Sequence, residues 1–180
     1  MHERRFNGEV ERLRAPQRVA LLESDKVVNL CLEGIRVHNM LDVGTGSGIF
    51  AEAFARKDII VSGIDPNPEM IKAAKTFVPA GNFQQGIIEE MPFKDKSFDL
   101  VFLGHVLHES DNLTKALSES KRCAKHRVVV LEWPYKQEEI GPPLGHRLKT
   151  KEVLRAGEGV GFSSQEAIQL NPMVMFRFTV

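Results

Sequence analysis

The sequence predicts an α/β chain built on a doubly wound, mostly parallel, seven-stranded sheet with helices on both faces. Three observations predict it. Short apolar, β-rich runs at 38–43, 59–64, 83–88, 98–103 and 127–132 alternate with stretches of helical periodicity, the pattern of a parallel sheet covered on both sides. The first run empties into three alternating glycines, Gly44, Gly46 and Gly48, and the second leads directly into Asp65. The tail then breaks the alternation. Gln165–Leu170 and Met173–Val180 are joined only by Asn171-Pro172, and so short a link permits antiparallel pairing alone.

Helices are expected over 17–32, 47–57, 67–77, 111–124 and 150–160. The third carries its own start signal: Asn67 can cap, and Pro68 stands just inside, where its fixed φ suits a first turn. Met70, Ile71, Ala74 and Phe77 then recur at helical spacing and predict its buried face. Pro134–Lys149, with Gly141-Pro142-Pro143 and little apolar periodicity, reads as a loop after the fifth strand. The chain has no internal repeat or low-complexity segment.

At 180 residues the chain suits a single domain with one core. Lysine plus arginine balance aspartate plus glutamate at 24 each, so no net field favours nucleic acid or an anionic membrane as partner. No run approaches the ~18 apolar residues of a membrane span, and no leader is expected behind Met-His-Glu-Arg-Arg. Cys31 and Cys123 make neither a metal spacing nor a disulfide framework. They are expected to be small core residues, and the chain to be cytoplasmic.

The glycine run carries the chemistry. Bare backbone there can approach a ligand where a Cβ would clash or forbid the turn. Asp65, placed 21 residues after Gly44, offers two carboxylate oxygens to the vicinal hydroxyls of a ribose. A nucleoside-containing cofactor is the expectation. A pyrophosphate-binding Gly-x-Gly-x-x-Gly loop would need its third glycine at Ile49, one position later than Gly48. The run Asp42-x-Gly44-x-Gly46-x-Gly48 instead resembles motif I of the class I S-adenosylmethionine-dependent methyltransferases. Asp65-Pro66-Asn67-Pro68-Glu69-Met70 resembles their second motif, and Phe83–Phe93 their third-strand segment. Ser97–Leu103 with Gly104-His105-Val106-Leu107-His108 is similar to their fourth strand and its loop. Glu11–Arg18 resembles the lead-in of the quinone-biosynthesis branch, and the likeness spans residues 10–180.

The resemblance implies a Rossmann-like sheet whose last strand is inserted antiparallel. It implies S-adenosylmethionine as cofactor, S-adenosylhomocysteine as product and a small-molecule methyl acceptor. Asp42, Gly44, Thr45, Gly46, Asp65, Pro66, Ile87, Ile88, Gly104 and His105 are the expected cofactor-lining residues. Two positions depart from the family pattern. Ile87 stands where an aspartate usually accepts from the adenine amino group, leaving Glu89 to reach back or apolar contact to serve alone. Ala124-Lys125-His126-Arg127 replaces a Pro-Gly-Gly turn.

Methyl transfer asks the protein mainly for alignment; a base is needed only where the nucleophile must lose a proton. His105, directly after the fourth strand, is read either as the best candidate base, with His108 and Glu109 behind it, or as a pocket-wall residue that never takes a proton; as a set of metal ligands these three are not expected to serve. Asp42 is read either as facing the cationic cofactor or as holding the loop, and Arg14 and Arg18 as partners of a carboxylate or as a solvated face. Trp133 and Tyr135 either pack on a substrate or plug the loop base. Residues 1–18 and 134–149 are the two segments able to fold over the site. Two alternatives are a cofactor-binding, non-catalytic partner or sensor, and a nicotinamide oxidoreductase, against which the early third glycine argues.

Overall fold

The structure, a computed structural model, describes residues 10–180. The part of the expected N-terminal lid before residue 10 lies outside the described residues. Strands β1 (Asn39–Val43), β2 (Ile60–Asp65), β3 (Asn82–Gln85), β4 (Phe98–Gly104), β5 (Ala124–Glu132), β6 (Ser164–Gln169) and β7 (Val174–Thr179) form one seven-stranded sheet in the order β3-β2-β1-β4-β5-β7-β6. The first five are parallel. β7 runs antiparallel to β6, as the short Asn171-Pro172 link requires, and also antiparallel to β5.

Period-two alternation sorts the core onto the two faces of the sheet. Met40, Leu100, Phe102, Val129 and Leu131 point to one side and pack under helices α3 (Ser24–Leu32), α4 (Ile49–Ala55) and α5 (Pro68–Phe77). Their sequence neighbours Leu41, Val101, Leu103, Val128 and Val130 point to the other, under α6 (Leu113–Cys123) and α7 (Thr150–Val160). Cys31 and Cys123 are buried free thiols within these two clusters. Among the described residues no helix is long and apolar enough to cross a membrane.

Several boundaries differ from expectation for local reasons. The helix expected over 17–32 is two, α2 (Pro16–Leu22) and α3, broken where Glu23 turns left-handed at φ 42°; a short α1 (Val10–Leu13) precedes them. In α5, Asn67 caps as expected by accepting from the Glu69 N–H, and Met70, Ile71 and Ala74 are buried. Phe77, in the last turn, is 43% exposed and is covered by the Arg14 guanidinium, 3.3 Å from its ring centre. The third strand stops at Gln85, so Gly86–Ile88 lie beyond the sheet edge. A 3₁₀ turn, Leu107–Glu109, separates β4 from α6, and another, Leu144–His146, interrupts the 134–149 loop.

The start of the central strand pair is tied by one carboxylate. Asp99, buried at the beginning of β4, accepts from the His38 and Asn39 N–H groups and from Lys125 Nζ at 2.8 Å. Burial pushes its pKa up, but those donors outweigh burial and hold it below the usual carboxylate value. A depressed carboxylate stabilises the fold above its unfolded value and loses that contribution as pH falls through the folded one. Asp99→Ala is expected to cost roughly 2–3 kcal/mol at neutral pH and to flatten the acid limb of stability below about pH 4. Urea unfolding at two pH values measures both; a full-sized acid limb in the variant would assign it to other carboxylates.

Candidate cofactor and acceptor site

The strand order reverses between β1 and β4, the point at which open α/β sheets bind ligands beyond their carboxyl ends. A cavity of about 1210 Å³ opens there, larger than a pocket for one small molecule. The glycine loop, the Asp65–Asn67 turn, Gly86–Glu89, the turn after β4 and the 134–149 loop all contribute to its wall. All the expected cofactor-lining residues border it.

The glycine loop owes its shape to close approach. Gly44 has φ +66°, and a Cβ on it would fall on the Val106 side chain. Gly48 has φ +80°, with the α5 backbone at Ala74 close behind. The N–H groups of this loop are used inside the protein. Thr45 N–H donates to the Ile64 carbonyl, Gly48 N–H to the Thr45 carbonyl, and Gly46 N–H to Asp65 Oδ2 at 3.0 Å. Asp65 Oδ1 accepts from Asn67 N–H at 2.9 Å. Burial raises the Asp65 pKa against these two bonds. Each oxygen therefore has one protein donor and keeps acceptor capacity for a ligand.

Asp42 holds the loop from beneath. Its Oδ2 accepts from the Thr45 hydroxyl at 2.7 Å, and burial raises its pKa to about 7 despite that bond and one from Ala51 N–H, with the Asp65 charge adding to the rise. Arg14 likewise serves the loop: its guanidinium donates to the Ser47 carbonyl and pairs with Glu52 at 2.9 Å. Ile87 is at the rim, 38% exposed, while Ile88 is buried. Glu89 also borders the cavity, with its Oε1 accepting from Asp111 N–H at 2.7 Å.

Across the cavity, His105 adopts a left-handed backbone at φ +57°, an uncommon conformation for a residue with a side chain. Its N–H donates to the Leu131 carbonyl, and its ring stacks on Trp133 with centres 4.9 Å apart. His105 Nε2 is buried without a hydrogen-bond partner among the described residues, as is Arg18 Nε. Burial pulls the His105 pKa down to about 3, with Arg18 and His108 adding to the fall against Glu132. His105 is thus neutral at physiological pH and a weak base. Trp133 is a plug rather than a platform, 4% exposed, its other side closed by Gly141. Tyr135 points away, 47% exposed beside Lys149. Among the described residues no cluster of His, Cys, Asp and Glu could hold a metal.

Two residues that shape this half carry no motif. Arg147, 4% exposed, donates to the carbonyls of Pro134, Ile140 and Pro142 and so folds the loop after β5 over Trp133. Glu132, at the end of β5, pairs with His108 at 2.9 Å. An arginine inside a Pro/Gly-rich stretch, and a carboxylate directly after the apolar run Val128–Leu131, were the available signals.

Comparison with known proteins bears on the family and the fold. Demethylmenaquinone methyltransferase of Chlorobaculum tepidum is 37% identical over 95 residues, covering 52% of this chain and 39% of that protein. Ubiquinone biosynthesis O-methyltransferase of Rhodopseudomonas palustris is 36% identical over 98 residues, covering 52% and 36%. The chain thus spans about two fifths of the length of such relatives. Among solved structures, a SAM-dependent methyltransferase from Aquifex aeolicus superimposes with a TM-score of 0.83 at 23% identity, covering 95% of this chain and 96% of that one. One from Thermotoga maritima, described as a possible histamine N-methyltransferase, gives 0.74 at 20% identity, covering 94% and 93%; both show the fold. Residues 41–131 match the methyltransferase domain family, and the chain belongs to that family.

Proposed function

We propose that the chain binds S-adenosylmethionine in this cavity and moves its methyl group to a small-molecule acceptor by in-line displacement. One observation carries the reading. The glycine loop spends the N–H groups of Thr45, Gly46 and Gly48 on protein acceptors, leaving none of these three for a pyrophosphate. Asp65 meanwhile keeps acceptor capacity on both oxygens while Gly46 and Asn67 fix its orientation, and a carboxylate so held can accept from two vicinal hydroxyls. That donor set suits a nucleoside with a cationic, phosphate-free tail. The names of the curated relatives favour a small organic acceptor over a macromolecule.

In this reading Asp65 binds the ribose and Pro66 packs on the adenine, with Ile87 and Ile88 as the apolar wall opposite. Asp42 and Thr45 brace the loop at Gly44 and Gly46, where the amino acid tail lies against bare backbone. Gly104 and His105 line the sulfonium end. The bound cofactor supplies an activated methyl; the chain supplies alignment, worth roughly 7–11 kcal/mol where it holds a near-attack geometry. His105, neutral and stacked, is a wall that fixes the acceptor rather than its base. The buried free thiols fit a reducing compartment, and we place the chain in the cytoplasm.

Calorimetric titration with S-adenosylhomocysteine tests the cofactor. Micromolar binding is expected, weakened at least about 100-fold in Asp65→Ala, which loses two hydrogen bonds to a charged acceptor. Undiminished affinity in the variant would remove Asp65 from the ribose site. Asp42 gives a pH test. Its pKa is raised from 3.8 to about 7, so its stabilising protonated form is complete below the unfolded value and lost as pH rises through the folded one. Thermal melts of the unliganded protein are expected to be flatter between about pH 4 and pH 8 in Asp42→Asn; an unchanged slope would count against a protonated Asp42.

A further inference from the structure

Glu132 is 2% exposed and carries an unusual set of donors. His108 N–H donates to its Oε1 at 3.0 Å and Trp133 N–H to its Oε2 at 3.3 Å. His108 Nδ1 lies 3.1 and 2.9 Å from the same two oxygens. A carboxylate this deep is costly unless it is paired and hydrogen-bonded, and every one of these bonds comes from His108 or its own neighbour Trp133. With Nδ1 committed to Glu132, the other ring nitrogen, Nε2, is the one left for a ligand. It makes no hydrogen bond to any described residue, and His108 borders the cavity one turn beyond His105.

We propose that His108, oriented by Glu132, takes the proton of the methyl acceptor, and that the acceptor is an oxygen acid of the phenol or enol class. The proposal rests on the methyltransferase reading above. A neutral amine attacks without losing a proton first and sheds it to water afterwards, and a thiol is already partly ionised at neutral pH. A hydroxyl is the nucleophile for which a fixed base makes the difference, worth roughly 10²–10⁴-fold. As the acceptor oxygen meets the methyl carbon, its proton passes to His108 Nε2, and the freed O–H pair remains on oxygen. An oxygen lone pair forms the new C–O bond; the C–S pair leaves with sulfur as a neutral thioether. The positive charge lost at the sulfonium reappears on the imidazolium, held by Glu132 until solvent takes the proton.

The groups facing His108 set its pH behaviour. They are Glu132 from β5, Glu109 from its own turn, Arg147 from the loop above and His105 from the end of β4. Burial pulls the His108 pKa down, but the Glu132 charge and hydrogen bond outweigh burial and raise it. The base is therefore neutral only above a value higher than the ordinary 6.5, and transfer should climb as pH rises through it.

The test combines three measurements on wild type and Glu132→Gln. These are NMR titration of the imidazoles with S-adenosylhomocysteine bound, calorimetry of that ligand, and transfer from labelled S-adenosylmethionine to catechol, 4-hydroxybenzoate and 1-naphthol. Expected in wild type are a His108 value above 6.5, a neutral tautomer protonated at Nδ1, and methylation of at least one phenol with a rate that follows that titration. Glu132→Gln should lower the His108 value, move the acid limb to lower pH and cut transfer about 100-fold, with ligand affinity within a few-fold. His108→Gln, whose amide can still donate to Glu132, should bind the ligand and lose the limb altogether, and it serves where Glu132→Gln does not fold. A His108 value indifferent to Glu132, identical pH profiles, or no phenol methylated by protein that binds the ligand would each overturn the proposal. No ligand binding by wild type would instead overturn the cofactor reading beneath it.

Discussion

Asp65 ties together two loops that leave adjacent parallel strands. One oxygen holds Gly46 in the turn after β1, and the other holds Asn67, the cap of α5. The two loops must diverge to make room for a ligand, yet both must stay at hydrogen-bonding distance from one point, and a carboxylate at the end of β2 satisfies both demands. The rest of the cavity depends on this clamp. With Gly46 drawn to Asp65, Gly44 is left to turn at positive φ against Val106, and Val106 opens the segment that carries the Leu107–Glu109 turn. Thr45, between them, drops its hydroxyl onto Asp42. Glycine at 44 is thus a packing requirement before it is a binding feature.

The central half of the site was legible because its chemistry is local. Glycine spacing, the acid after the second apolar run and the Asn67-Pro68 cap each act within a few residues, and each stands where the sequence places it. What escaped is set by partners far along the chain. Glu23 breaks the first long helix without glycine or proline as a warning, and the Ser24-Asp25 pair that opens the next helix was the one faint local signal. The third strand ends early at Gln85 although Ile87 and Ile88 suit a strand; past β2 there is no neighbour to pair with, and Ile88 packs into the core instead. Trp133 and Tyr135 are near neighbours in sequence but face different environments, because Arg147, donating to three carbonyls, folds the loop over one and away from the other.

Asp42 and Glu132 show why burial alone does not determine the charge of a site. Both are 2% exposed at the ends of central strands, and burial acts on both in the same direction. Asp42 meets a hydroxyl and a backbone N–H, neutral donors that cannot repay the desolvation of a full charge, and nearby Asp65 opposes ionisation further. Glu132 meets an imidazole that can become charged in return, and its pKa falls below the usual carboxylate range.

The consequence is a cavity sorted along its length. Its β1–β2 end holds Asp65 and Asp42, and burial raises the pKa of both, that of Asp42 to about 7, so the pair repel one another less than two full charges would. Its β4–β5 end holds an imidazole whose proton is anchored by Glu132. A cationic sulfonium that disappears in the reaction and a proton that appears in it are charges of the same sign. A site that receives the second where the first is lost keeps its net charge constant through the step, and the low-dielectric wall of Phe50, Trp133 and Ile88 then imposes little penalty on the transfer.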